Sequence, residues 1–143
     1  MSVSNLYRFL CKEQQVRTGL SIRQVATAAR LSPGTIDHFL AHGGTPSYDR
    51  LIAISDALRI DRLRAQVALE VIGCADSYYS PATALMSRLI PRLADAVSRP
   101  DSELDEELNS WQTEAIINHA EQAVFKGLEA NKQIKQRFLA LSR

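Results

Sequence analysis

The sequence contains few of the residues that mark a disulfide-rich, metal-rich or low-complexity chain. Its 143 residues include two cysteines, six glycines and five prolines, and 6% are aromatic. Two cysteines far apart in sequence, Cys11 and Cys74, are poor support for a disulfide framework or a zinc site. Because both lie within apolar helical patterns, we predict that both are buried thiols.

Long apolar runs are also absent. No stretch approaches the roughly 18 uninterrupted apolar residues of a membrane span, and Arg8, Lys12 and Glu13 stand where a signal peptide would be apolar. We therefore expect no membrane association and a cytoplasmic protein. With 45% hydrophobic and 23% charged residues, the chain can bury a core, and its length fits one domain or two small ones.

The net charge of +1 is small but unevenly distributed. Residues 1–73 hold nine Lys or Arg against six Asp or Glu, whereas residues 74–143 hold eight against ten. This mild asymmetry favours an anionic partner for the N-terminal half. It also coincides with the domain division that we predict, 1–73 and 74–143.

Capping residues and apolar spacing predict five short helices before Gly73. Gly19 stands where a left-handed residue ends a first helix of roughly Asn5 to Thr18. N-caps are predicted at Ser21 (with Gln24 completing a capping box), Ser32 (followed by Pro33), Ser47 and Asp61. The residues expected to face the core are Leu6, Phe9, Leu10, Val16, Ile22, Val25, Ala26, Ala29, Ile36, Phe39, Leu40, Leu51, Ile54, Leu58, Leu63, Val67 and Val71. Since no segment alternates with period two, we predict an all-α fold.

The stretch 21–60 resembles the helix-turn-helix family of lambda-type repressors and Xre-like regulators. The resemblance rests on the small Ala26 where two helices touch, on Leu31 in the turn, and on the Gly-x-x-Pro-Ser loop of residues 43–47. It covers about residues 3–72. It implies a five-helix lambda-repressor-like DNA-binding domain, followed here by a helical C-terminal region.

The resemblance implies that the helix from Pro33 to Ala41 lies in the major groove of DNA. Thr35 can contact a thymine methyl, Asp37 can accept from a cytosine amine, and His38 can donate to a purine, but none is a bidentate reader. The expected base contacts are Gly34, Thr35, Asp37 and His38. The expected phosphate contacts are Arg17, Arg23, His42, Ser47 and Arg50. Arg30 stands where the family usually has glycine, so we expect a turn that is slightly longer or differently wound.

The C-terminal region shows helical patterns only. Ser80 caps a helix that Pro91 should kink or split. After Pro100, an apolar stripe interrupted by Asn118 and Gly127 favours two helices over one long coiled coil, although a long helix with a shifting face stays open. We expect these helices to form a homodimer, through Leu89, Leu93, Trp111, Leu128 and Phe138.

Three classes of function compete. The leading one is a DNA-binding transcriptional regulator of phage or plasmid type that binds double-stranded DNA as a homodimer and whose C-terminal region oligomerises or contacts a protein effector. The second is a protein-interaction adaptor, an antirepressor or antitoxin without base readout, consistent with Pro33-Gly34 and the modest charge. The third, a cyanase-like enzyme, is set aside because no activated nucleophile, carboxylate pair or phosphate loop is apparent. His38 and His42 have metal-ligand spacing but no third ligand, so we expect no metal and no cofactor.

Overall fold

The computed structural model of the chain describes residues 3–44, 46–99 and 110–141. In these ranges the secondary structure is helical and no strand occurs, which confirms the predicted all-α fold class. Contacts divide the chain into two compact units, Met1–Ala96 and Val97–Arg143.

The helices follow one another in the order α1 (Val3–Thr18), α2 (Ile22–Ala29), α3 (Pro33–His42), α4 (Tyr48–Ala57), α5 (Arg62–Gln66), a π-helical turn (Val67–Val71), a 3₁₀ turn (Asp76–Tyr79), α6 (Pro81–Val97) and α7 (Ser110–Leu141). Within the described ranges, none of these helices combines the length and the apolarity needed to cross a membrane.

Local capping chemistry sets most of the predicted helix starts. Ser21 and Gln24 form the reciprocal capping box of α2, and Ser32 and Asp61 each accept from the N–H three residues on, at 3.1 and 3.0 Å. Ser47 occupies the predicted N-cap position of α4, but its side chain makes no capping hydrogen bond. The expectation that Ser47 caps α4 through its hydroxyl is therefore wrong.

The turn between α2 and α3 keeps the left-handed conformation although it carries an arginine. Arg30 has φ 56° and ψ 39°, and its N–H donates to the carbonyl of Thr27 while the N–H of Leu31 donates to that of Ala26. This hydrogen-bond pair is the Schellman motif, which recurs after α4 with Arg59 at φ 56°. The expected longer or differently wound turn is wrong, because these bonds and the half-buried Leu31 outweigh a local cost of about 1 kcal/mol.

The core of the first unit lies where α1 to α5 and the following turns meet. Burial confirms the predicted core positions Leu10, Val25, Ala26, Ala29, Ile36, Phe39, Leu40, Ile54, Leu58 and Val67. The predicted residues Leu6, Ile22, Leu51 and Leu63 are half-buried. The core therefore joins both helices of the predicted motif to α1, α4 and α5.

Three predicted core residues are exposed instead. Phe9 and Val16 are 45% and 67% exposed, because a helix turns about 100° per residue and both stand off the inward side marked by Leu10. Val71 is 68% exposed. In an α-helix, residues four apart lie on the same side, so Val71 would be buried with Val67. The π-helical turn, closed by a 3.0 Å bond from the N–H of residue 72 to the carbonyl of Val67, rotates Val71 off that face.

The two cysteines differ in burial. Cys11 lies fully buried in the core, as predicted, whereas Cys74 is exposed, so the prediction of two buried thiols is wrong for Cys74. Cys74 follows Gly73, whose φ of 74° takes the chain out of the helical pattern on which the prediction depended.

The first unit continues beyond Gly73, the boundary that the sequence predicted. Tyr78 is buried and its hydroxyl accepts from the N–H of Asp61 at 3.0 Å, while the hydroxyl of Tyr79 donates to Gln14 at 3.0 Å. These bonds attach the 3₁₀ turn to α1 and α5. The division between compact units accordingly falls between residues 96 and 97.

The C-terminal helices are less interrupted than the sequence suggested. α6 is continuous through Pro91, so it is not split. α7 is a single helix of 32 residues, so the expectation of two helices is wrong and the alternative of a long helix is the observed one. Gly127 does not end it, since one glycine costs a helix only about 1 kcal/mol.

Candidate nucleic-acid interface

α3 presents the predicted base contacts on its outer side. The Ser32 cap and the following proline start this helix, and Ile36 and Phe39 anchor its inner side in the core. Leu40 is buried on the same side, and the other positions of the helix face outward or stand at its edge. Gly34, Asp37 and His38 are exposed, and Thr35 is half-buried.

The structure brings two of these residues together with a predicted phosphate contact. Thr35 and His38 of α3, the Gly43-Gly44 loop and Arg50 of α4 line one surface hollow of about 190 Å³. The hydroxyls of Thr35 and Ser32 are hydrogen-bonded at 2.8 Å, but a hydroxyl has one donor and two acceptor positions. Thr35 therefore keeps capacity for a ligand at this hollow.

The start of α4 carries mixed charge. Ser47 and Arg50 are exposed, and the absence of a Ser47 capping bond leaves that hydroxyl available to a ligand. Asp49 also lies in the first turn of α4. Its carboxylate repels a phosphate next to Arg50. Binding of an anion at the start of α4 therefore depends on how the side chains of Asp49 and Arg50 are oriented.

Arg8 is a basic residue at this site that the sequence did not single out. Its guanidinium lies against Gly43, where an added Cβ would be 3.1 Å from Nη1, and the hydroxyl of Ser4 donates to the carbonyl of Gly44 at 3.1 Å. The first turns of α1 therefore hold the α3–α4 loop. The available signal was the Gly43-Gly44 pair, since glycine permits close approach of other groups to the backbone.

Of the five predicted phosphate contacts only Arg50 lines the hollow; Arg17, Arg23, His42 and Ser47 do not. Arg17 pairs with Glu13 at 2.9 Å and stacks 3.8 Å from the ring centre of Tyr79. It follows Arg8 by nine residues, about 13 Å along α1. Arg23 is exposed on α2, near the Ser21 cap.

The two histidines of α3 are neighbours but do not form a metal site with a third residue. The ring centres of His38 and His42 are 5.3 Å apart, and both residues are exposed. In the part of the chain that the structure describes, no group of three His, Cys, Asp or Glu side chains could hold a metal ion. The paired rings can instead donate hydrogen bonds to an anionic ligand.

A separate cavity of about 380 Å³ lies between α1, α4 and the π-helical turn, with the hydroxyls of Tyr7 and Ser55 hydrogen-bonded in its wall. Burial raises the pKa of Tyr7, and that of Tyr79 is also raised by burial. Burial raises the pKa of the Cys11 thiol to about 12. The raised pKa values keep the two tyrosine hydroxyls and the Cys11 thiol protonated. None of the site residues predicted from the sequence lines this cavity.

The residues predicted to form the dimer lie in both units. In the first unit Leu89 is half-buried and Leu93 is 47% exposed; in the second, Trp111 and Leu128 are 70% and 49% exposed. The side chain of Phe138 lies outside the described residues. These positions offer apolar surface on α6 and on α7.

Comparison of the chain with protein-family models, with curated proteins and with solved structures found no match.

Proposed function

We propose that this protein is a transcriptional regulator, similar to lambda-type and Xre-like repressors, that binds double-stranded DNA as a homodimer in the cytoplasm. The observation that carries the proposal is the hollow where Thr35 and His38 of α3 meet Arg50 of α4, with Arg8 beside the same loop. It combines hydrogen-bonding groups on a helix with two guanidinium groups at its edge.

The arrangement of α2 and α3 supports the proposal. Ala26 is 1% exposed where the motif helices pack, and the half-buried Leu31 occupies the short turn, as the resemblance requires. α3 is ten residues long, about 15 Å, and an α-helix fits the major groove. Its outer side has few side chains that could make two hydrogen bonds to one base. Phosphate contacts therefore supply most of the affinity for DNA, and Thr35 and His38 supply a modest preference for one base sequence over another.

Two carboxylates favour a second candidate, an adaptor that uses the same fold to bind a protein. Asp37 is exposed in the middle of the outer side of α3, and Asp49 stands beside Arg50. Both oppose the approach of a phosphate backbone, and both suit a basic partner protein.

The deciding experiment measures binding of the full chain to random-sequence duplex DNA at increasing NaCl. DNA binding releases counterions, so the dissociation constant should rise steeply between 50 and 200 mM salt. Arg8→Ala and Arg50→Ala should each weaken binding and reduce the salt slope by about 0.9 per protomer, because each removes one phosphate contact. Arg92→Ala is the control, since Arg92 is exposed on α6.

Base readout is tested on a DNA sequence selected from a random pool. Thr35→Ala and His38→Ala should lower the preference for the selected sequence more than they lower binding to random DNA. Equal losses on both DNAs would remove these two residues as base contacts. No binding at 50 mM salt would overturn the proposal and favour the adaptor.

A further inference from the structure

α7 is a long helix without a buried face. It has 32 residues and is about 48 Å long, and none of its described side chains is buried. The exposed apolar residues on one side of it include Ile116 (52%), Ile117 (52%), Leu128 (49%) and Ile134 (53%). Since helices in proteins gain most of their stability from packing an apolar face, α7 requires a covering surface.

The charges of α7 are separated along its length. The first half carries Glu114 and Glu121, whereas the second half carries Glu129 and four basic residues, Lys126, Lys132, Lys135 and Arg137. The first turn has no acidic residue and the last turn no basic one, so the helix dipole, which acts within the terminal turns, does not explain the pattern.

Pairing within the helix does not explain it either. The positions four residues after Glu114 and Glu121 are Asn118 and Phe125, so neither glutamate has a basic residue at the favourable spacing. Among the described residues of α7, no ion pair joins two of its side chains. The two ends of α7 therefore carry unpaired charge of opposite sign.

From this charge pattern we propose that α7 pairs antiparallel with α7 of a second copy of the chain. An antiparallel pair sets the acidic half of each helix against the basic half of the other, whereas a parallel pair sets like charges together over the whole length. With Ser110 opposite Leu141 of the second copy, Glu114 lies opposite Arg137 of the second copy and within one turn of Lys135 of the second copy. The two-fold axis repeats this contact at the other end.

The same register also matches side-chain sizes. It sets Ile117 opposite Ile134 of the second copy and Val124 opposite Gly127 of the second copy. A Cβ added at Gly127 would meet nothing within 4 Å, so there is open space at Gly127 for a valine side chain. In a parallel pair Gly127 would face itself and leave this space unfilled.

The inference deepens the homodimer of the proposed function and does not depend on DNA binding. Its test is cysteine cross-linking of the full chain in a Cys74→Ser background, in which Cys11 is buried and unreactive. Glu114→Cys and Lys135→Cys are made in separate chains and treated with a short bismaleimide, alone and after mixing. Val124→Cys is the matched control, because residue 124 lies near the middle of α7 on the side that faces the second copy and so links the pair in either orientation.

We expect cross-linked dimer from the mixture and from Val124→Cys, but not from Glu114→Cys or Lys135→Cys alone, since in an antiparallel pair two residues 114 lie about 35 Å apart. We also expect the dimer to dissociate several-fold more readily at 500 mM than at 50 mM NaCl, because salt screens the attraction.

Efficient linking of Glu114→Cys to itself would establish a parallel pair and overturn the inference. A dimer that strengthens with salt would also overturn it, because attraction between opposite charges weakens with salt. A monomer at micromolar concentration in sedimentation would overturn it as well and would mean that α7 is covered by another part of the chain. Cross-linking as expected without DNA binding would remove the proposed function and leave the antiparallel pair.

Discussion

Gly43→Ala is the substitution that most directly tests the loop on which the candidate interface depends. Gly43 is buried at the end of α3 with φ 81° and ψ −148°, a region of backbone conformation that is essentially restricted to glycine. An alanine Cβ would lie 3.1 Å from Nη1 and 3.5 Å from Cδ of Arg8. The substitution therefore strains the backbone and pushes the Arg8 side chain away from the loop.

The expected loss in the free energy of unfolding is about 2 kcal/mol. Forcing a residue with a Cβ into this conformation costs about 1–3 kcal/mol. Displacing the flexible end of Arg8 adds less than about 1 kcal/mol, and the lower entropy of the unfolded alanine chain returns about 0.4–1 kcal/mol. With a denaturant dependence of about 1.5 kcal/mol per molar urea, the midpoint should fall by about 1.3 M.

The assay is urea unfolding followed by tyrosine fluorescence in a Trp111→Phe background, because Tyr7, Tyr48, Tyr78 and Tyr79 all lie in the first unit. Gly44→Ala is the matched control: its φ is 112°, but an added Cβ would meet nothing within 4 Å. The loss in the free energy of unfolding for Gly44→Ala should therefore come from backbone strain alone.

Combining Arg8→Ala with Gly43→Ala isolates the contact between the two residues. The double variant should recover the part of the loss due to the Arg8 contact and keep the part due to the backbone. A change below about 0.5 kcal/mol for Gly43→Ala would show that the loop does not hold this conformation against Arg8, and the geometry of the hollow would have to be abandoned.

Three further predictions concern burial. In the native protein a thiol reagent should modify the exposed Cys74 quickly and Cys11 only after unfolding; equal rates would contradict the burial of Cys11. Since burial holds the pKa of Cys11 at about 12, against about 8.5 in an unfolded chain, the folded state keeps a proton that the unfolded state releases. The free energy of unfolding should therefore fall as the pH rises from about 8.5 to 12, by about 1.4 kcal/mol per unit, and Cys11→Ala should lack this part of the fall. Val67→Ala should cost about 2 kcal/mol in a urea titration and Val71→Ala less than about 0.5, because only Val67 is buried; similar losses would argue against the π-helical turn.

Helix starts and the identity of most core residues were predictable from the sequence because they depend on neighbouring residues. Ser21 with Gln24, Ser32 and Asp61 cap helices through backbone groups three residues away, and Gly19 adopts the left-handed conformation predicted for it. Apolar spacing likewise identified buried positions such as Ile36, since periodicity follows from the geometry of a helix.

The tertiary structure decided features that local pattern leaves open. Arg30 adopts a conformation that favours glycine because two backbone bonds and the packing of Leu31 compensate. Val71 leaves the core because the π-helical turn adds a residue to the hydrogen-bonded ring. Each outcome depends on a balance of contacts that neighbouring residues do not determine.

The candidate interface also has a part that was predictable from the sequence and a part that depends on the tertiary structure. The cap and apolar spacing of α3 were sufficient to place Thr35 and His38 together on one helix, off the side that Ile36 and Phe39 bury. That Arg50 joins them, and that Arg8 stands beside Gly43, follows only from the packing of α1 and α4 around the α3–α4 loop. Helical spacing relates residues a few positions apart, whereas a site built from three helices depends on how those helices pack against a shared core.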